Sequence, residues 1–334
     1  MRIDIKVTVV VPVYKAEKYV KQAVESALAQ PQTAEVILIE DGSPDNSFEE
    51  CKQLAEQHKK VRMLRHPQGD NRGAAASRNL GMQNAKYDYI AFLDADDYYL
   101  PGRFTKAQEI IDANPDCDGV YEALGIHFED QDAKKRWLNS QMENIEMTTM
   151  TKITHPDNLF ERLVTGGSGY FSLVSLILNK RALVKVGLMN EKLTLHQDSE
   201  FILRLAAATR LLPGRLDQPV AMRRVHKYNR ISAPRPAKEI FQNRMHMWLS
   251  TYDWLAKNHF NTEKQIVIDM VIRYQYNFKP LPGWMEKWSP KVRKLSRILS
   301  LPFDHPRILL QKQYWGIILS IFLWPFSKNA RNKF

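Results

Sequence analysis

Cysteine is nearly missing: Cys51 and Cys117 are the two in 334 residues. Two thiols are too few for a disulfide framework or a zinc site, so a reducing cytosol is the expected compartment. Met1-Arg2 runs into Asp4-Ile5-Lys6 and a strand-like stretch rather than an apolar one, so no secretory leader is expected. Long apolar runs are also absent. The longest candidate, "YWGIILSIFLWPF" (314–326), has 13 residues, whereas a helix crossing the ~30 Å hydrocarbon core takes about 20. No Gly-x-x-x-x-Gly-Lys phosphate loop occurs, and "GGSG" (166–169) lacks the third-glycine spacing of a dinucleotide fingerprint. Both common α/β nucleotide sites thereby lose support. No repeat, low-complexity tract or recognised nucleic-acid motif is evident.

What is present is a chain of two characters. Residues 1–234 carry 31 Lys+Arg and 31 Asp+Glu, whereas residues 235–334 carry 17 against 6, which accounts for the whole net charge of +11. A basic module follows a neutral one, and its expected partner is an anionic surface. "APRPAKE" (233–239), with two prolines, marks the expected boundary between residues 1–232 and 233–334.

The neutral part alternates apolar strands with helices. "VTVVVPVY" (7–14), "AEVILIE" (34–40), "KVRMLRH" (60–66) and "YDYIAFLD" (87–94) read as strands, with helices between them. This alternation predicts an α/β fold with a mostly parallel sheet covered by helices on both faces. Functional groups in such sheets gather at the carboxyl ends of the strands. Three strand tips are polar: Tyr14 to Glu17, Glu40-Asp41, and Asp94 to Asp97. Residues 129–152 read as a polar loop or flap.

At the fourth tip, "FLDADDYYLP" (92–101) holds Asp94, Asp96 and Asp97 within four positions. A strand ending in Asp-x-Asp suits a hard divalent cation, Mn²⁺ or Mg²⁺, that bridges two phosphates. A solvated acidic loop is the alternative for the motif taken alone.

The ordered series of segments is more specific. "VVPVYKAEKYVKQAVESALAQ", "IEDGSPDNS", "NRGAAASRNLGMQNAKYDYIAFLDADD", "KVGLMNEKL", "HQDSEFILRLA" and "RRVHKYNRIS" resemble, in that order, the elements of a family 2 glycosyltransferase of the Rossmann-like GT-A fold. Glu40, Ser77 and Gln197 stand where that family usually has Asp, Ala and Glu. The resemblance covers about residues 5–232 and implies a metal-dependent, inverting transfer of a sugar from a nucleotide donor, with UDP the expected nucleotide.

Site roles follow from the resemblance. Pro12, Val13 and Tyr14 would hold the nucleobase, and Asp41 would accept from a uracil N3–H. Arg78 would reach the base or a phosphate, with a surface ion pair as its alternative. Glu17 has a weaker claim on the donor, since an exposed first-turn Glu needs no special role. Asp96 is the expected metal ligand; Asp94 would hold the ribose or the metal's water shell, and His226 would complete the metal site. Asp97 would brace the following turn. Asp198 is the expected general base, with a helix N-cap as its alternative. Glu200 would orient the acceptor or join a salt-bridged helix face, and Gly167 would let backbone approach a sugar or simply form part of a turn.

In the tail, residues 240–260 read as an aromatic-rich helix packed on the core. "SPKVRKLSRILSLPF" (289–303) alternates cations with Val292, Leu295, Ile298 and Leu299, as an interfacial amphipathic helix does. With 314–326, whose Trp315 and Trp324 suit the headgroup level, it reads as an anchor on the cytoplasmic face of the cell membrane. A buried helix or an oligomer contact is the alternative for 314–326. The expected acceptor is a glycan or lipid-linked glycan of the cell surface. Two alternatives to the whole reading are a sugar transferase acting on polyprenyl phosphate and a non-catalytic glycan- or membrane-binding protein on a transferase scaffold.

Overall fold

Every valine of β1 (Val7–Val13) is fully buried, because a parallel strand covered on both faces has no side facing water. The amphipathic segment after it forms α1 (Val20–Leu28), which buries Val20, Ala23, Val24 and Ala27. The pattern then repeats through β2 (Thr33–Glu40), α2 (Ser47–Gln57), β3 (Val61–Arg65), α3 (Gly73–Asn84) and β4 (Tyr89–Phe92). The computed structural model describes residues 5–139, 146–227, 229, 233, 235–278, 290–301, 314–316, 318 and 319.

Shorter elements follow: β5 (Tyr98–Tyr99), α4 (Thr105–Ala113), β6 (Gly119–Tyr121), β7 (Ala123–Phe128), α5 (Gln131–Asn139), β8 (Met147–Thr148) and α6 (Pro156–Thr165). Then come β9 (Leu176–Asn179), α7 (Arg181–Val186), α8 (Gln197–Ala208), β10 (Leu211–Pro213) and β11 (Pro219–Val225). Among the described residues, seven strands form a sheet in the order β10-β6-β9-β4-β1-β2-β3. All its pairings are parallel except those of β9, which runs against both β4 and β6. The mostly parallel α/β architecture expected from the alternation is therefore what forms.

Three features depart from the sequence reading. β9 is reversed. A second sheet, β5-β11-β7-β8, is built around β11. The stretch 129–152 is not all loop, because it contains α5 and β8. Its polarity hid an i, i+4 pair, Ala133 and Trp137, that closes a small core with Ile126 and Val225.

Helix α3 lies close on β1. A Cβ at Gly81 would sit 2.4 Å from a Val10 methyl carbon, so that approach depends on glycine.

Asp118, just before β6, joins three elements. It is 1% exposed. It accepts from Lys185 Nζ (2.7 Å) and Arg181 Nε (2.8 Å) on α7, and from the Arg210 main-chain N–H (2.9 Å). Burial alone would push its carboxyl up, but the bonds from Lys185, Arg210 and Arg181 prevail and hold it below the ordinary value. A lowered folded-state pKa means stability that is present above the unfolded value of about 3.9 and is lost as pH falls through the folded value. Asp118→Asn should therefore cost roughly 1.5–3 kcal/mol at pH 7, the range for hydrogen bonds to a charged group. In urea melts the gap to wild type should narrow below about pH 4. A gap unchanged down to pH 3.5 would show that packing, not charge, holds this corner.

The chain divides into two compact units, Met1–Pro234 and Arg235–Phe334. In the second, α9 (Ala237–Lys257), α10 (Asn261–Phe278) and α11 (Pro290–Leu299) pack in sequence. Phe241 stacks on Tyr274 at 5.4 Å, and Gln275 Nε2 donates to the Arg297 carbonyl at 3.1 Å. Ile298 and Leu301 are buried, while Val292, Leu299, Trp315 and Leu319 are exposed. No helix among the described residues is long and apolar enough to cross a membrane. Most of 314–326, and Arg230 to Ser232 of the closing motif, lie outside the described residues.

Candidate active site

Three strand tips meet because β1 lies between β2 and β4. The Val13 carbonyl accepts from Asp41 N–H (2.9 Å), and the Val10 carbonyl accepts from Leu93 N–H (3.1 Å). Pro12 and Val13 end β1, and Tyr14 beyond them is 45% exposed, with Lys15 Nζ 5.3 Å from its ring centroid.

Asp41 has a structural duty. It is 2% exposed, and its oxygens accept from the main-chain N–H groups of Arg72 (2.8 Å) and Gly73 (2.9 Å). These amides open α3 and have no intrahelical partner. A nucleobase N–H would have to share these oxygens. The neighbouring Gly42 has φ +68°, and a Cβ there would lie 2.8 Å from both Asn71 N and the Gly69 carbonyl oxygen, so only glycine fits beside the cap. Glu17 is exposed and accepts from Asn46 N–H at 3.0 Å, at the start of α2.

Arg78, on α3, donates from Nη2 to Asp94 Oδ1 at 2.5 Å. Burial by itself would lower its pKa, but Asp94 and then Asp198 reverse this and raise it. Its Nε is buried with no hydrogen-bond partner among the described residues, an unmet donor of the kind a phosphate or carbonyl oxygen satisfies.

After β4 the chain turns, with Asp97 N–H donating to the Asp94 carbonyl at 2.9 Å. Asp96 Oδ2 lies 3.0 Å from His226 Nε2 and accepts from Asn229 Nδ2 at 3.2 Å. Asn229 Oδ1 also accepts from the His226 main-chain N–H. Asp97 points inward and accepts from Arg224 N–H at 2.8 Å, so it braces β11 more than its own turn. Burial, then the charges of Asp96 and Asp94, push its carboxyl well above the usual range.

No group of three or more His, Cys, Asp or Glu side chains among the described residues is arranged to hold a metal unaided. Asp94 is turned to Arg78, so among the expected metal-site residues Asp96 and His226 are the two that lie against one another. The remaining pair, one carboxylate oxygen and one imidazole nitrogen, fits an ion that completes its shell with substrate phosphates and water. Asp96 and His226 would hold that ion.

Asp198 lies in the first turn of α8, after His196 at φ 61°. Its Oδ1 accepts from Ser199 N–H at 2.8 Å, and it is half-buried. Glu200 is 1% exposed and paired to Arg204 by two bonds, from Nε at 3.0 Å and Nη2 at 2.8 Å. Of its two expected roles, the salt-bridged helix face is the one these contacts match. Gly167 is exposed at φ +78°, with open space where a side chain would be.

The sequence reading assigned no role to Tyr19, Gln22, Glu129, Arg224 or Asn229, all of which the fold brings to the Asp96 turn. Arg224 and Asn229 stood in the quoted motif "RRVHKYNRIS". Tyr19 and Gln22 stood in "VVPVYKAEKYVKQAVESALAQ", but no local pattern singles out either of them or Glu129, because their partners are close in space but distant along the chain.

Residues 8–174 match the model of glycosyl transferase family 2. A glycosyltransferase of Haemophilus influenzae is 41% identical over 101 residues, 30% of this chain and 40% of that protein. Glycosyltransferase GlyA of Streptococcus pneumoniae is 35% identical over 99 residues, 29% of this chain and 14% of that protein. The chain thus aligns with less than half the length of each of these curated relatives. Among solved structures, S. aureus TarS 1–349 in complex with UDP-GlcNAc matches with a TM-score of 0.60 at 17% identity, covering 89% of this chain and 82% of that one. At that identity the likeness is one of fold, the GT-A fold.

Proposed function

We propose, from the premise that this chain belongs to glycosyl transferase family 2, that it moves a sugar from a nucleotide-sugar donor to a hydroxyl of a glycan or lipid-linked glycan. UDP is the nucleotide we expect, and the transfer inverts the anomeric carbon. The carrying observation is the group at the strand tips: Arg78 paired to Asp94 with its Nε unmet, beside Asp96 paired to His226.

Arg78 meets the donor's phosphate or base, while Pro12, Val13 and Tyr14 border the base. Asp96 and His226 would hold Mn²⁺ or Mg²⁺, which would supply positive charge against that developing on the departing diphosphate. Asp198 takes the proton of the acceptor hydroxyl as that oxygen attacks. Its place near Arg78, whose pKa it raises, supports this role.

The test is thermal unfolding with Mn²⁺ and a panel of nucleotide sugars. At 100-fold its dissociation constant, a donor should add about 2.7 kcal/mol, which for a unit of this size is roughly 5–10 °C. A panel in which no nucleotide sugar raises the melting temperature or is hydrolysed with Mn²⁺ would favour a non-catalytic scaffold.

We place the protein on the inner face of the cell membrane through residues after Trp288. In support, Val292, Leu299, Trp315 and Leu319 are exposed, and residues 235–334 carry 17 cations against 6 anions. Each cation near an anionic surface contributes about 1 kcal/mol and is screened by salt, whereas apolar insertion is not. High salt should loosen the full chain from anionic liposomes only in part, and ending the chain after Trp288 should free it with donor binding intact. A shortened chain that still sediments with liposomes would move the anchor to the first unit. One that unfolds would make 289–334 part of a core and remove the anchor reading.

A further inference from the structure

Arg224 stands two residues before His226 on β11 and is 8% exposed. Its Nε donates to the Asp96 main-chain carbonyl at 3.0 Å, its main-chain N–H holds Asp97, and Nη2 donates to Gln22 Oε1 on α1. The guanidinium carbon lies 5.1 Å from the Tyr19 ring centroid and 5.4 Å from that of Tyr98. Nη1 is 3.9 Å from Glu129 Oε1. The Tyr19 ring in turn lies 4.9 Å from the His226 ring.

We infer that Arg224 is the positioning residue of the Asp96–His226 pair. It fixes the main chain that carries Asp96 and, through Tyr19, the ring of His226, without itself meeting the donor. The inference rests on the reading of that pair as the metal site.

The chemistry requires an arginine. Asp96 sits on a short turn after a strand, where its main chain would otherwise rotate and carry the carboxylate with it. The bond from Nε to its carbonyl removes that freedom. The same planar group must reach Gln22 in another direction and lie against two aromatic rings, which a rigid fork does and the single nitrogen of lysine does not. Outer-shell partners that orient metal ligands change metal affinity by about 10–100-fold when lost.

The test uses the full chain with Mn²⁺ and UDP as probes, with free Mn²⁺ read by electron paramagnetic resonance and the fold by circular dichroism. Arg224→Lys, which keeps the charge, should weaken Mn²⁺ binding in the presence of UDP by about 10–100-fold. Its Mn²⁺ activation curve should shift to higher concentration by the same factor, with kcat recovered at saturation because both ligands remain. Asp96→Ala should recover at no Mn²⁺ concentration. Gln22→Ala, at an exposed position on α1, should weaken Mn²⁺ binding in the same direction and by less. A folded Arg224→Lys that binds Mn²⁺ as wild type does, while Asp96→Ala does not, overturns the inference alone. If Arg224→Lys fails to fold, wild-type Mn²⁺ binding by Gln22→Ala overturns it. Wild-type Mn²⁺ binding by Asp96→Ala overturns the metal reading and this inference with it.

Discussion

Asp96→Ala should lower transfer by about 10³-fold or more and abolish Mn²⁺-dependent donor binding, while the fold persists. A metal ion contributes several kcal/mol of transition-state charge stabilisation, and each 1.36 kcal/mol is tenfold in rate. The variant removes one of the two side chains that would hold the ion, so most of that contribution goes. Stability should hold or rise without metal. Asp96 lies beside Asp97, which is buried and already pushed toward its neutral form partly by the Asp96 charge, and removing that charge relieves the repulsion. The losses are the bonds to His226 Nε2 and Asn229 Nδ2. Turnover that continues unchanged in excess EDTA would end the metal assignment, whatever the variant does.

Asp198→Asn should leave donor affinity near wild type and lower kcat by roughly 10²–10⁴, the range for a lost general base. The change is nearly isosteric, and the side-chain oxygen that accepts from Ser199 N–H is kept, so the start of α8 should survive. The same variant separates two chemistries. A polyprenyl phosphate acceptor is already an anion and needs no base, so full activity of Asp198→Asn on such an acceptor would favour that alternative. If donor affinity collapses instead, Asp198 belongs to the nucleotide site through its field at Arg78, and the base lies elsewhere.

Much of the fold was legible because its rules are local. Continuous β-branched runs and helical spacing gave β1 to β4 and the helices between them. The reversal of β9 was not legible, since "SLILN" (175–179) pairs equally well in either direction and its neighbours decide. Helix α5 was missed because two buried side chains, Ala133 and Trp137, carry it against a polar background.

The site divides in the same way. Asp94, Asp96 and Arg78 lie in one uninterrupted stretch, where motif and strand position agree. Glu200 was ambiguous because an acidic first turn is favoured by the helix dipole whatever its side chain meets. Arg204 stands one turn away at i, i+4, as the salt-bridged reading needs, but only the fold shows that the pair is buried. Arg224, Tyr19 and Gln22 share no local pattern, because an arginine on β11 and a glutamine on α1 meet only after the second sheet has formed.

That second sheet has a consequence for synthesis. All seven strands of the large sheet lie before Gly214, whereas β11, which pairs with both β5 and β7, begins at Pro219. A chain emerging from the ribosome can therefore complete its main sheet while the acidic turn still lacks Arg224, His226 and Asn229. Pairing of β11 closes loops of about 90 residues or more, the kind of contact that forms late in folding. A nascent chain would then carry Arg78, Asp94 and Asp96 without His226, the second side chain of the proposed metal site, and would gain it only when the last strand of the unit docks.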